Sequence, residues 1–360
     1  MKVHGVSVSY FTGKLEAYLR YKGIRYDLAP PYGDQERIRA KVGAIQVPIV
    51  ERDDGRWMSD STPIILQLEK EHPAPSIMPG DPVVRFLAML IEDYADEWLW
   101  RPAMHYRWSY EHDRELLSRI LVDEATQHSS LPRFVKRIII KRRQRIGFVV
   151  NDGVRRETRD HVESSYLNAL RNMTAMLEER AYLLGSTPSV ADFGLMGPML
   201  RHFGQDPTPA EIMRNEAPTV YEWVARVWNA SHTAGEPSFV DDFPADGAGM
   251  LKEIAETHLV QLAANAEAHG RDLRHFEMNV QGTQYRRLPV SVYRVYCLER
   301  LREAFGTLSA EQQKDVRALL PGQEAEILWQ ESIPAHSGYD EAREAPFNKA
   351  INVYGDGVPK

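Results

Sequence analysis

The stretch AIQVPIVERDDGRWMSDSTPIILQLEKE, residues 44–71, decides the fold. Its first apolar run contains Pro48, and an Asp-Asp-Gly turn at 53–55 separates that run from a second short segment. Both segments have the length and composition of short strands, and the turn is typical of a strand connection. Ser61 then precedes Pro63, a hydroxyl cap followed by proline in a first helical turn. We therefore predict two strands followed by a helix.

The residues before this stretch complete a small α/β unit. Alternating valines predict a strand at 2–8, and apolar residues at helical spacing predict a helix at 14–22 that ends at Gly23. A second strand is predicted at 25–29 and a second helix at 34–42. The resulting order of elements is βαβαββα.

A proline-rich segment at 73–82 is predicted to be a linker, because such a density of Pro and Gly cannot continue a helix. Beyond it, apolar side chains recur every fourth residue from Phe86 to Trp98, which predicts a long helix that Pro102 kinks or ends. Further helices are predicted near residues 112–126, 132–147, 157–181, 190–203 and 218–230.

The last part of the chain combines helices with a hairpin. Amphipathic patterns predict helices at 251–269 and 291–305. Between them, a Gln-Gly turn separates strand patterns at 275–280 and 283–288. The chain therefore carries a mixed segment after its run of helices.

Composition excludes several classes of protein. The 360 residues include 44 Lys+Arg and 51 Asp+Glu, a formal net charge of -7, so neither nucleic acid nor an anionic membrane is expected as a partner. No run reaches the length of a membrane helix, and we expect a cytoplasmic protein. Cys297 is the single cysteine, which excludes an internal disulfide, a cysteine-based metal site and dithiol redox chemistry. At helical spacing among apolar residues, it is most simply a buried small hydrophobe.

Several of these features together resemble the glutathione transferase superfamily. They are the βαβαββα order, the Val-Pro pair at 47–48, the Asp-Ser pair at 60–61 and the linker to a helical region. The segment Ser-Val-Ala-Asp-Phe at 189–193 is similar to the capping box and staple of a late helix in that family. The resemblance covers about residues 1–232 and leaves the remainder outside the family pattern.

The resemblance implies an α+β fold: a thioredoxin-like βαβαββα domain, an all-helical domain and a mixed helix and hairpin extension. The predicted divisions are 1–72 for the first domain, 73–82 for the linker, 83–232 for the helical domain and 233–360 for the extension.

The Val-Pro pair suits a peptide-binding edge. Proline cannot donate to a strand ladder, and a cis bond there would turn the main-chain groups of Val47 outward to pair with a peptide. An ordinary proline at a strand edge is the alternative. By resemblance, the peptide is the cysteinyl part of glutathione, and Phe11, Gln46 and Pro48 belong to the same binding site.

Asp60 and Ser61 stand at a predicted helix N-terminus, where unpaired N–H groups and a partial positive charge attract a carboxylate. The resemblance implies that Ser61 holds the γ-glutamyl carboxylate of glutathione and that Asp60 holds its ammonium group. Plain helix capping is the alternative. The family usually has Glu or Gln at the position of Asp60, so this contact would be shorter-reaching here.

The group that activates the thiol is expected between the first strand and the first helix. Family members with a Ser-Pro-Phe or Cys-Pro-Phe signature point to Ser9, and members with Tyr-Phe at the strand end point to Tyr10. Either hydroxyl could donate to the sulfur with help from the helix N-terminus, or both could be structural. A hydroxyl cannot form a mixed disulfide, which argues against thiol exchange.

The helical region supplies candidates for an electrophile pocket and two charged clusters. An acidic group at 92–97 could contact substrate, bind a metal or form a solvated or salt-bridged face, and no metal is expected. The run at 133–145 has seven basic residues, no acidic residue and several apolar ones, so we predict an amphipathic helix with its charges in water. An anion-attracting rim is an alternative, and a membrane or nucleic-acid surface is a less favoured one. The pocket candidates are Trp100, Arg101, His105, Arg107 and Trp108.

The sequence thus predicts a glutathione transferase-like enzyme that activates the glutathione thiol for attack on a small hydrophobic electrophile. Glutathione would be a co-substrate, and the extension would cover the cleft or an interface. Two alternatives stay open: a non-catalytic protein that uses the fold for binding or assembly, and a glutathione-dependent isomerase or lyase. A homodimer is expected from the resemblance.

Overall fold

The computed structural model describes residues 1–126, 129–234, 238–330 and 332–350. Its four-stranded sheet has the order β2-β1-β3-β4, in which β1 pairs with β2 in parallel and the other pairs are antiparallel. The strands are β1 (Lys2–His4), β2 (Asp27–Ala29), β3 (Ile49–Glu51) and β4 (Trp57–Ser59).

Three helices belong to this sheet, in the predicted order βαβαββα. The first helix begins earlier than predicted, at Tyr10, because residues 5–9 form the loop into the helix instead of a longer β1. Val3, Val50 and Met58 are fully buried on the sheet and join the main apolar core. The helices are α1 (Tyr10–Tyr21), α2 (Gln35–Val42) and α3 (Ser61–Glu71).

A run of eight helices follows the linker. The long predicted helix ends at Glu97, and Pro102 lies in the first turn of the next helix, where proline is tolerated. The predicted capping box is confirmed, since Ser189 and Asp192 satisfy each other's backbone N–H groups. The helices are α4 (Pro82–Glu97), α5 (Trp100–Ser109), α6 (Glu111–Ala125), α7 (Arg133–Arg145), α8 (Arg159–Leu177), α9 (Val190–Pro198), α10 (Pro207–Glu216) and α11 (Pro218–Trp228).

The extension contains the predicted helices and hairpin and one helix that was not predicted. Ser309 and Gln312 form a capping box before that additional helix, so a start signal was present in the sequence. The elements are α12 (Ala248–Glu253), α13 (Val260–Gly270), β5 (His275–Val280), β6 (Thr283–Pro289), α14 (Val292–Gly306) and α15 (Ala310–Leu319).

The extension packs on the rest of the chain rather than apart from it. The rings of Phe86 in α4 and Phe305 in α14 lie 5.8 Å apart. Farther along, the Ser59 N–H donates to the carbonyl of Pro346 (3.0 Å), so the extension reaches the open edge of β4. No described helix combines the length and the apolar character that crossing a bilayer requires.

Candidate active site

One edge of the sheet gathers three chain segments. His4 pairs with Ile49, and Ile49 pairs with Ser59. Here "edge" means the side of the sheet at which β1 and β4 end and β3 begins. The chain segments that follow β1 and β4 and the segment that precedes β3 are therefore neighbours. These segments are the 5–9 loop, the residues just before Ile49 and the start of α3.

Ser9 caps α1 at this edge. Its half-buried side chain accepts a hydrogen bond from the Thr12 N–H (3.3 Å), and its own O–H has no acceptor among the described residues. Arg107 fixes the loop by donating to the carbonyl of Val8 (2.7 Å). Ser9 therefore presents a hydroxyl at the positive end of the α1 dipole.

Tyr10 points the other way. Its side chain is buried, and its hydroxyl donates to the main-chain carbonyl of Ala95 in α4. Burial raises the pKa of Tyr10 well above its ordinary value. Of the two hydroxyls that the sequence left open, Tyr10 is committed to helix packing and Ser9 is not.

The predicted cis bond between Val47 and Pro48 is present. Val47 is half-buried, and no residue in the described part of the chain donates to or accepts from its main-chain groups. Gln46 precedes it and donates its own main-chain N–H to Ala44 (3.2 Å). The free main-chain groups of Val47 are thus available to an extended peptide.

Asp60 adopts an unusual backbone conformation at the start of α3. Its φ of 75° lies in a region that non-glycine residues seldom occupy and that is enriched at ligand sites. Desolvation raises the pKa of its carboxyl group to about 7, although a hydrogen bond from Tyr293 and the charge of Lys14 act in the opposite direction. Ser61, the first residue of α3, is buried beside it.

The extension covers this end of the edge. The hydroxyl of Tyr293 in α14 donates to Oδ2 of Asp60 (2.7 Å). The ring of Tyr339 contacts that of Tyr293, with 6.0 Å between centroids, and desolvation together with the charge of Asp60 raises its pKa. One oxygen of the Asp60 carboxyl group is therefore bonded to a residue of the extension.

A buried ion cluster lies behind the same helix start. Lys14 of α1 donates to the Thr62 hydroxyl (2.8 Å) and to the carboxylates of Glu92 and Asp96. Desolvation alone would lower the pKa of Lys14, but the charges of Asp96 and Glu92 raise it. This cluster ties α1, α3 and α4 together.

Two neighbouring carboxylates are also paired, Asp93 with His258 (2.6 Å) and Glu97 with Arg294 (3.0 Å). The acidic group at 92–97 is thus salt-bridged, which was one of the alternatives open from the sequence. Within the described ranges, no group of three His, Cys, Asp or Glu side chains could hold a metal ion.

Comparison with known families bears on this arrangement. The family model of the glutathione S-transferase N-terminal domain matches residues 3–76, and that of the glutathione S-transferase C-terminal domain matches residues 141–230. These two matches place residues 3–76 and 141–230 in the glutathione transferase superfamily. No curated protein matches the sequence significantly.

Several solved structures are similar to parts of this chain at low sequence identity. A glutathione S-transferase from Rhodospirillum rubrum is 16% identical, covers 63% of this chain and 86% of its own, and has a TM-score of 0.41. The beta-etherase LigF from Sphingobium is 19% identical, covers 63% of this chain and 93% of its own, and has a TM-score of 0.44. Maleylpyruvate isomerase from Pseudomonas aeruginosa is 16% identical, covers 67% of this chain and 100% of its own, and has a TM-score of 0.36.

Trp100 is the pocket candidate that the structure places beside the first residues of α1. It is half-buried, its ring stacks on Phe11 with 5.5 Å between centroids, and Phe148 contacts it edge-on at 5.7 Å. These three rings form an apolar surface that continues from the start of α1.

The other four pocket candidates lie inside the helical packing. Arg101 donates to Asp152 and Gln261, and Arg107 forms a bidentate pair with Asp206. His105 bonds to Glu163 (2.9 Å), and Trp108 is buried. Arg101, His105 and Trp108 are therefore buried in the helical packing away from Ser9, whereas Arg107 reaches the main chain beside Ser9 through the carbonyl of Val8.

Two residues at the site were missed from the sequence, and a third, Arg107, makes a contact that the sequence did not predict. Arg107 was assigned to an electrophile, but it acts on the backbone beside Ser9. Glu124 accepts from the main-chain N–H of Ser7 (2.9 Å) and so also holds this loop. Tyr293 lies in the extension, and no local pattern signals its contact with Asp60.

Proposed function

We propose that the protein is a glutathione-dependent enzyme in which the Ser9 hydroxyl stabilises the thiolate of glutathione. The observation that carries the proposal is the ladder from His4 through Ile49 to Ser59, which sets Ser9, Val47 and the start of α3 at one edge. Superfamily membership supports it.

In this proposal the Val47 main chain pairs with the cysteinyl N–H and C=O of glutathione, as an added strand would. The thiol loses its proton to solvent, and the Ser9 O–H donates to the sulfur while the α1 dipole favours its charge. A free thiol titrates near ~8.5, so a lowering of about two units makes the thiolate predominate at pH 7.

The electrophile would rest on the surface formed by Phe11, Trp100 and Phe148. The thiolate attacks an electrophilic carbon, a carbon–sulfur bond forms, and the displaced group leaves with its bonding electron pair. Adjacent aromatic rings provide apolar contact for a small hydrophobic substrate. An isomerase or lyase would share the thiolate step but return glutathione unchanged.

A non-catalytic binding or assembly role is the second candidate, and one observation favours it. The Tyr293 hydroxyl donates to the Asp60 carboxylate, and the Pro346 carbonyl accepts from the Ser59 N–H. Residues of the extension thus lie where the glutamyl part of glutathione would bind in the first proposal. If the extension never leaves, glutathione cannot bind in the manner usual for the superfamily.

Calorimetric titration of the full chain with glutathione distinguishes the two candidates. Binding at millimolar concentration or tighter supports the enzyme, and its absence supports the non-catalytic role. S-methylglutathione serves as a matched ligand without a titratable thiol. Ser9→Ala should weaken binding of glutathione at pH 7 while changing the affinity for S-methylglutathione little, because only the former uses the thiolate.

A further inference from the structure

Helix α7 and the π-helical turn that follows it (Ile146–Val150) expose an unusual amount of apolar surface. Phe134 is 66% exposed, Ile138 58% and Ile139 50%. Six of the eleven exposed large apolar side chains among the described residues lie within 131–150, so the exposure is concentrated rather than scattered. We call this the α7 face, and its apolar members are Leu131, Phe134, Ile138, Ile139, Ile146 and Val150.

Ion pairs link the helix to α6, and Ile140 is its one side chain that packs against the main apolar core among the described residues. Arg137 and Lys141 both pair with Glu115 of α6, and Arg133 pairs with Asp123. No residue of α7 is buried. An amphipathic helix ordinarily buries its apolar side chains against the core of its protein. The exposed apolar side of α7 has no such covering among the described residues.

Arginines without acidic partners share this face. Arg142, Arg143 and Arg145 are exposed, and none forms an ion pair with a carboxylate in the described part of the chain. The chain as a whole has a net charge of -7, so this cationic surface is a local feature of an acidic protein. Its partner should therefore present both apolar material and negative charge.

We propose that the α7 face binds the surface of a lipid bilayer that contains anionic lipids. Apolar side chains such as Phe134 and Ile138 would enter the region between headgroups and acyl chains, while the arginines would meet lipid phosphates. The helix would lie in the plane of the surface. The expectation of no membrane partner followed from the net charge of the whole chain, and for this run a membrane surface was the less favoured alternative to charges in water.

Two other occupants fit the face less well. A second copy in a twofold-symmetric contact would oppose the arginines of one α7 face to those of the other. Single-stranded nucleic acid calls for a series of aromatic platforms, and Phe134 is the one aromatic member of the face. The proposal does not depend on the proposed thiol chemistry, since it involves neither Ser9 nor Val47.

Vesicle co-sedimentation of the full chain tests the proposal. Phosphatidylcholine vesicles are compared with vesicles that also contain about 30% phosphatidylserine, at low and high salt. The variants are Phe134→Ser with Ile138→Ser, and Arg142→Glu with Arg143→Glu. Matched controls change an exposed apolar and an exposed basic residue elsewhere, Leu273→Ser and Arg286→Glu.

We expect the unmodified protein to sediment with the anionic vesicles, at least tenfold more than with neutral ones, and to be released by high salt. Both α7 variants should lose this binding and both controls should keep it. Equal sedimentation with the two vesicle types would overturn the proposal, as would unchanged binding by both α7 variants. A dimer that these variants dissociate, without vesicle binding, would assign the face to a second copy instead.

Discussion

The hydroxyl of Tyr293 lies 2.7 Å from Oδ2 of Asp60 and donates a hydrogen bond to it, across 233 positions of the chain. Asp60 is the N-cap residue of α3, and Tyr293 belongs to the extension that lies outside the two matched domain models. The extension and the sheet edge therefore form one structural unit. A change in either should be felt in the other.

Asp60 should make stability depend on pH. Its folded pKa of about 7 exceeds the ordinary 3.8, so the folded state retains a proton that the unfolded chain loses between these values. Stability is therefore lost as pH rises through this window, by about 4 kcal/mol at most. Asp60→Asn removes the titration, accepts the Tyr293 hydrogen bond and tolerates a positive φ. Urea unfolding should show the variant gaining stability over the unmodified protein from pH 5 to pH 8.

The exposed Asp241 provides the control for this experiment, because Asp241→Asn should alter stability equally little at both pH values. A constant difference between Asp60→Asn and the unmodified protein from pH 5 to pH 8 would contradict the raised pKa.

Tyr293→Phe should act through the same carboxyl group. Without the phenol donor the ionised form of Asp60 loses a hydrogen bond, which costs about 1–3 kcal/mol for a desolvated group. We expect the loss of unfolding free energy at pH 8 to exceed that at pH 5, where Asp60 is protonated. Tyr221→Phe, at an exposed tyrosine, is the matched control. Equal losses at the two pH values would separate Tyr293 from the titration of Asp60.

Local signals predicted much of the fold and part of the site. The predictions of a cis Val47-Pro48 bond and of a capping box between Ser189 and Asp192 are both confirmed, because short-range chemistry specifies each of them. The distinction between Ser9 and Tyr10 needed the structure. Only the position of α4 shows that the Tyr10 hydroxyl is consumed by Ala95.

Contacts between distant segments were beyond local patterns. The acidic residues of α4 were compatible with a solvated face, yet Lys14, which lies 78 positions before Glu92, draws them inward. The basic run of α7 was correctly predicted to be helical, but periodicity does not reveal whether an apolar stripe meets a core. The structure shows that this stripe is exposed, while Arg137 and Lys141 form ion pairs with Glu115 of α6.

Lys14→Met should be strongly destabilising. It leaves Glu92 and Asp96 close together without their cation, and breaking a buried ion cluster from one side costs about 3–5 kcal/mol. The loss should shrink as pH falls and Asp96, whose pKa is raised by desolvation, takes up a proton. Adding Glu92→Gln and Asp96→Asn to Lys14→Met should recover part of the stability at pH 8, measured by urea unfolding. No recovery would mean that packing, rather than charge, gives Lys14 its importance.

Ser9→Ala and Tyr10→Phe should have separable effects. Ser9→Ala removes the proposed donor to the thiolate, so the pKa of bound glutathione should rise by about 1–2 units and the conjugation rate at pH 7 should fall at least tenfold. It also removes the cap of α1, at a cost of about 1 kcal/mol. Tyr10→Phe should lose about 1 kcal/mol of stability through the missing bond to Ala95 and leave the thiol pKa unchanged. Thiolate absorbance against pH and urea unfolding measure the two quantities, and a thiol pKa that moves in Tyr10→Phe but not in Ser9→Ala would reverse the assignment.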